Sequence, residues 1–169
     1  MEQETLERLR RGDAGAYRDV VSNCAPRLLR LAERLGHPAQ EAEDLVQDAF
    51  LALVRSVDRL EGRAAVSSWL TRVLLNRHTD VVRSRVLDRS RRPAAPDAPA
   101  PADRDEADRV RAALRRLPEA EHHVLLLRYF EGLPYDEIAH AVQAPLGTVH
   151  SHAFHGLRRL RALLEEDAT

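Results

Sequence analysis

EAEDLVQDAFLALVRSVDRL, Glu41 to Leu60, reads as one amphipathic helix. Leu45, Val46, Ala49, Phe50, Leu53, Val54, Val57 and Leu60 recur at three- and four-residue steps, which sets them on one broad apolar stripe. Glu41, Glu43 and Asp44 fall in the first turn and Arg55 and Arg59 in the last, the order that a helix dipole favours. Pro38 is placed to open the helix, where its missing N–H costs nothing. The opposite face carries Glu41, Asp44, Gln47 and Asp48, an acidic, hydrogen-bonding ridge. Helix formation does not require that ridge. It is either an ordinary solvated face or a docking surface for a basic partner.

The rest of the chain extends the helical reading. No strand-like alternation runs for any length, and only seven glycines occur in 169 residues, so an all-α protein is expected, as one domain or two small ones. All 26 basic residues are arginine, which with the heavy alanine use points to a GC-rich genome more than to a function. The formal net charge of −1 hides an uneven distribution. Arg77 to Arg92 holds six arginines against Asp80 and Asp88, whereas Pro93 to Asp108 holds five acids against Arg104. Cys24 is the single cysteine, so no disulfide framework or cysteine-based zinc site is expected, and its place on an apolar stripe suggests a buried small hydrophobe. No signal peptide and no run fit to span a bilayer is seen, so no membrane insertion and a cytoplasmic location are expected.

In chain order, Thr5 to Arg11 suggests a short helix that Gly12-Asp13 breaks, with Asp13 as N-cap of the next. Tyr17, Val20, Val21, Cys24, Leu28, Leu31 and Leu35 keep helical spacing to Gly36, with Pro26 expected to kink or split the run. After the helix ending near Leu60, Ser67 or Ser68 is the expected cap of a helix bearing Trp69, Leu70, Val73, Leu74 and Val81. Residues 1–88 thus suggest a bundle of three or four helices, near the small end for independent folding. Residues 89–108, with Pro93, Pro96, Pro99 and Pro101 among alanines and acids, read as a flexible linker. Residues 109–169 read as a second helical domain: a short helix ending at Pro118, one over Glu119 to Phe130 stopped by Gly132, one over Pro134 to Val142, and a long last one from about Gly147 to Glu165.

Within that second domain, PYDEIAHAVQAPLGTVHSHAFHGLRRL (Pro134 to Leu160) has the spacing of a helix-turn-helix. Ile138, Ala139, Val142, Val149, Ala153 and Leu157 would pack its two helices together. Such a motif lays its second helix in the DNA major groove; a plain helical hairpin is the other reading.

Two stretches carry a family resemblance. AEDLVQDAF resembles the core-binding segment of the extracytoplasmic-function (ECF) group of bacterial RNA polymerase sigma factors. LPEAEHHVLLLRYFEGLPYDEIAHAVQAPLGTVHSH resembles that family's promoter-binding domain, matching at Leu117, Pro118, Gly132, Tyr135, Glu137, Ile138, Ala139, Pro145, Gly147, Thr148, Val149 and Ser151. The resemblance implies that Asp44, Gln47 and Asp48 bind polymerase, on the coiled coil of the β′ subunit, and that the second domain also meets the β flap. It implies that Arg63, Trp69, Arg72, Asn76, Arg77, Asp80 and Arg83 face the minus-ten promoter element, with the loop Gly62 to Ser68 holding a flipped-out base. Arg85 would join the phosphate contacts, since a basic helix beside a pocket captures a displaced strand. Thr148, His150, Ser151, His152, His155 and Arg158 would read the minus-thirty-five element. An anti-sigma factor is the implied regulator, and association with the nucleoid is implied when the chain is in holoenzyme.

The sequence also departs from the family pattern. His150, His152 and His155 stand where basic or polar residues are usual. Neutral histidine neutralises no phosphate, so minus-thirty-five binding is expected to be weaker here, or tighter at lower pH. Pro134 and His37 replace usual cap residues, and Val66 a usual aromatic of the base-holding loop. His122 and His123 read as surface or partly buried. His152 and His155, with His140, are three histidines without a converging cysteine or carboxylate, so no metal is expected. No nucleophile–base pair or glycine-rich phosphate loop stands out, so no catalytic residue and no cofactor are expected. The alternatives to a working sigma factor are a degenerate one that binds polymerase or an anti-sigma factor without promoter reading, and a stand-alone helix-turn-helix regulator that binds operator DNA.

Overall fold

The computed structural model describes residues 2–60, 66–91 and 106–167. Eight α-helices make up these residues: α1 Glu2–Arg10, α2 Ala14–Arg34, α3 Ala39–Ser56, α4 Val66–Arg91, α5 Glu106–Arg115, α6 Glu119–Leu125, α7 Tyr135–Val142 and α8 Leu146–Glu166. A 3-10 turn over Val57–Arg59 closes α3, and a π-wound turn over Leu126–Phe130 continues α6. No strand occurs among the described residues, as the periodicity predicts. No helix there is long and apolar enough to cross a membrane.

The first half, α1 to α4, forms because short polar devices aim amphipathic helices at each other. Asp13 caps α2: its Oδ1 accepts from the Gly15 amide at 2.8 Å and the Ala16 amide at 3.3 Å. Its Oδ2 accepts from Arg8 at 2.7 Å, and these partners hold its carboxyl below the usual range. Pro26 does not split α2, which runs unbroken across it. Pro26 and Ser22, whose carbonyl loses its donor, are both exposed, which leaves that carbonyl open to solvent. Pro38 stands one place outside α3, at the N-cap, rather than in its first turn. Ser67 and Ser68 lie inside α4 rather than capping it, and Arg27 ties α2 to α4 by donating to the Ser67 carbonyl at 3.2 Å and to Thr71 Oγ1 at 2.8 Å. Leu28, Leu31, Leu53, Leu70 and Leu74 are buried in the shared core. Each contributes about 1.5–3 kcal/mol by leaving water.

Helix α4 runs to Arg91 and α5 starts at Glu106, so helix extends into both ends of the expected linker. The remainder of that linker, 92–105, lies outside the described residues.

The second half is built around α6. Val124, Leu125, Leu126 and Leu127 are buried in succession, the mark of a helix covered on every side. Glu121, His122 and His123 are buried too, against the expectation of surface or partly buried positions. Helix α8 crosses α6 closely at Gly156, where a Cβ would stand 3.1 Å from Leu125 Cδ1 and 3.2 Å from Glu121 Cβ. Ile138 and Val149, both fully buried, join α7 to α8. Leu157, expected in the same seam, is exposed instead. Gly132 turns the chain at φ 68°, and Arg128 holds that turn by donating to the Leu133 carbonyl at 3.1 Å while covering the Tyr135 ring at 4.8 Å.

Gln143 ends α7 in the left-handed region, at φ 54° and ψ 44°. A side chain with a Cβ is strained there, and glycine is not. Gln143→Gly is therefore expected to stabilise the protein by about 0.5–1 kcal/mol, read as a raised midpoint in urea unfolding with unchanged slope.

The two halves are packed together over one continuous core. Helix α4 lies against α6 and α7. Arg34 on α2 donates to Glu131 Oε1 at 2.6 Å and stacks over the Phe130 ring at 5.2 Å, while Thr79 on α4 donates to Glu119 at the start of α6.

Candidate functional site

Three polar surfaces are candidates, one on each of α3, α4 and α8. On α3, Asp44, Gln47 and Asp48 are exposed and share one face at three- and four-residue steps. Neither aspartate is held by a cation among the described residues. Glu41, expected on the same ridge, is taken up elsewhere: Arg85 donates to it at 2.6 Å, and His37 Nδ1 lies 3.1 Å from its Oε2. These two neighbours hold the Glu41 carboxyl below its usual range. Arg85 is correspondingly tied up and is not a free phosphate contact.

Beside the α3 ridge lies an apolar groove lined by Val21, Ala25, Leu29, Phe50, Leu51 and Val54. Val54 was expected to face the core but is 54% exposed, because nothing packs over that edge of α3 among the described residues. No periodicity distinguishes such an edge from the core stripe beside it. Cys24, on the same side of α2, is partly buried, and burial pushes its thiol up.

On α4, Asn76, Arg77, Asp80 and Arg83 are exposed, and among the described residues neither arginine is held by a carboxylate. Trp69 is buried in the first-half core, with only 8% of its surface left to offer. The Arg72 guanidinium covers that ring at 6.0 Å. Arg63, with residues 62–65 of the expected base-holding loop, lies outside the described residues. Val66 is part of α4 itself.

On α8, Thr148, His150, Ser151, His155 and Arg158 are exposed on the helix that a helix-turn-helix presents to DNA. The His150 ring packs at a tilt against Tyr135 of α7 at 4.3 Å, and His155 meets the edge of the largely exposed Phe154. His152 turns inward instead. It lines a cleft of about 310 Å³ that Leu75, Asn76 and Thr79 of α4 share with His123 and Ala141. The structure therefore brings a residue of the α4 set and one of the α8 set to the same cleft.

Sequence reading missed the polar centre beneath that cleft. His37 Nε2 and His78 Nδ1 are 2.9 Å apart, and the His78 ring meets His123 edge-on at 5.5 Å. His37 and His78 are forty-one residues apart, so no local pattern pairs them.

Comparison with known proteins agrees with this architecture. Residues 20–87 match the family Sigma-70 region 2, and residues 107–160 match Sigma-70, region 4. The chain is 33% identical to the RNA polymerase sigma-H factor of Pseudomonas aeruginosa, over 90% of this chain and 88% of that one. It is also 33% identical to the ECF RNA polymerase sigma factor SigE of Mycolicibacterium smegmatis, over 94% of this chain and 66% of that one. Among solved structures, CnrH in complex with the cytosolic domain of CnrY has the same fold, with a TM-score of 0.76 at 22% identity over 98% of both chains. The sigma factor RpoE, bound to the anti-sigma factor NepR from Bartonella quintana, shares it as well, with a TM-score of 0.69 at 24% identity over 88% of this chain and 96% of that one.

Proposed function

The chain belongs to the ECF group of bacterial RNA polymerase sigma factors, and from that membership we propose a division of labour among its three polar surfaces. As a member it binds core RNA polymerase and directs transcription initiation at particular promoters. The α3 ridge of Asp44, Gln47 and Asp48 docks on a basic surface of core polymerase, the β′ coiled coil, and the second half meets the β flap. Helix α4 meets the opening minus-ten element through Arg72, Asn76, Arg77, Asp80 and Arg83, with Trp69 as the packed base of the site, and Arg63 contributes to the same contact. Helix α8 reads the minus-thirty-five element in the major groove through Thr148, His150, Ser151, His152, His155 and Arg158. On this reading residues 1–88 and 109–169 are the two binding units and 89–108 joins them. The chain performs no chemistry itself, since polymerase supplies it. It works in the cytoplasm, on the nucleoid when in holoenzyme, under control of an anti-sigma factor.

The observation that carries this reading is the pair of free arginines on α4. Arg77 and Arg83 are exposed beside Asn76 and Asp80 and have no carboxylate to neutralise them among the described residues. A cation left free beside polar groups suits a phosphate backbone, and each phosphate contact releases counterions. The test is promoter affinity of the holoenzyme measured across a salt series. Arg77→Ala and Arg83→Ala are each expected to weaken binding at every promoter alike and to reduce the log–log salt slope by about 1. An unchanged slope in both variants would remove α4 from the DNA interface.

A further inference from the structure

Where the two halves meet, four histidines are buried together: His37 and His78 from the first half, His122 and His123 from the second, all at 4–7% exposure. None of the three polar surfaces uses His37, His78, His122 or His123. Among the described residues no group of three or more donor side chains is placed to hold a metal ion, so the cluster needs another explanation.

The proton count in this cluster is limited. His37 Nδ1 faces the Glu41 carboxylate, which can only accept, so that nitrogen carries a hydrogen. The 2.9 Å contact between His37 Nε2 and His78 Nδ1 then has room for one hydrogen, which His78 donates when both rings are neutral. One ring of the pair can charge and keep this bond, but charging both would set two N–H groups against each other. Across the seam, the Nε2 atoms of His122 and His123 have no hydrogen-bond partner, so a charge placed on either would be buried and unpaired.

The surrounding charges do not relieve this. Arg85 on α4 and Arg115 on α5 oppose protonation, and Arg85 already occupies Glu41. Glu119 at the start of α6 favours a charge on His78 but accepts from Thr79. Glu121 on α6 lies 3.4 Å from Arg159 of α8, and His152 of α8 lines the cleft alongside His123. Burial, the largest cause in each case, lowers His78 and His122 to about 4 and His123 to about 3.

We propose that His78, hydrogen-bonded to His37, and His123 form a proton-sensitive latch between the halves, which keeps the chain closed when His78 and His123 are neutral and releases it when they charge. The sign follows from the lowered values. Closed histidines bind fewer protons than free ones near 6.5, so closure is fully stable above that pH and weakens as pH falls toward 4. For each histidine that charges, the open-to-closed ratio rises up to about tenfold per pH unit. Opening parts Asn76 from His152, so mild acid separates the two promoter-reading helices at the one cleft they share. That consequence rests on the proposed function, whereas the latch itself does not.

The test is the radius of gyration of the full chain by small-angle X-ray scattering from pH 8 to pH 5, with helix content followed by circular dichroism. Wild type is expected to expand below about pH 6.5 with its helix content unchanged. His123→Leu, and His123→Phe as a variant that keeps a ring, are expected to move that expansion lower by about one pH unit. A constant radius to pH 5 would overturn the latch. So would helix loss in step with expansion, or variants whose profiles superimpose on wild type. Loss of promoter binding in an otherwise working latch would contradict the promoter reading alone.

Discussion

Asp48→Arg is expected to weaken binding to core RNA polymerase about a hundredfold while leaving the thermal melt unchanged. Asp48 is exposed and free of any cation among the described residues, so reversing its charge breaks nothing within the chain. Against a basic partner the same change converts an attraction into a repulsion, and loss of an interfacial charge pair typically costs ~2–5 kcal/mol. Titration of labelled chain with core polymerase measures it directly. Asp44→Arg should act in the same direction. Glu41→Arg should not, because Glu41 is engaged with Arg85 and His37 within the first half. Its cost should appear as reduced stability instead. Equal loss of polymerase affinity in Glu41→Arg and Asp48→Arg would show that net charge matters and not the ridge.

Ile138→Ala should have the largest effect on stability. Ile138 is fully buried between α7 and α8 in a core that includes Leu127 and Val149. Truncation removes apolar contact and leaves a cavity, for about 2–5 kcal/mol. In a chain of this size that lowers Tm by roughly 10 °C. The seam it loosens aims α8, so minus-thirty-five recognition should fall before the first half is affected. Footprinting of the holoenzyme at a temperature below the melt should therefore lose upstream protection and keep protection around minus ten. Loss of both together would indicate that the two halves depend on each other for folding.

Much of the fold was legible because amphipathic periodicity identifies helices. The α3 stripe and the spacing from Pro134 to Leu160 marked out helices in both halves. What periodicity cannot show is which neighbour covers a given face. Val54 and Leu157 have core spacing but lie at edges that nothing covers among the described residues. His122 and His123 have polar side chains, but α6 runs through the middle of the second half and is covered all round. Pro26 marks a break in sequence, but an exposed proline in a long, well-packed helix costs only a hydrogen bond whose acceptor is left open to solvent. Glu41 has the same character as Asp44 and Asp48, and only the fold reveals that Arg85, forty-four residues away, has claimed it. The arginines of α4 were legible as a basic patch, and sequence alone could not separate the paired Arg85 from the free Arg77 and Arg83. The histidine cluster was not legible at all, because His37 and His78 are forty-one residues apart and meet His123 only where the halves dock.

The most direct test of the central claim is run-off transcription with core polymerase and a library of promoter fragments, with and without the chain. A functioning sigma factor should yield transcripts from one defined promoter class, absent with core alone and lost with Asp48→Arg. A chain that co-purifies with core yet starts no transcript would contradict promoter-specific initiation. A chain that binds DNA and never binds core would contradict the polymerase interface itself.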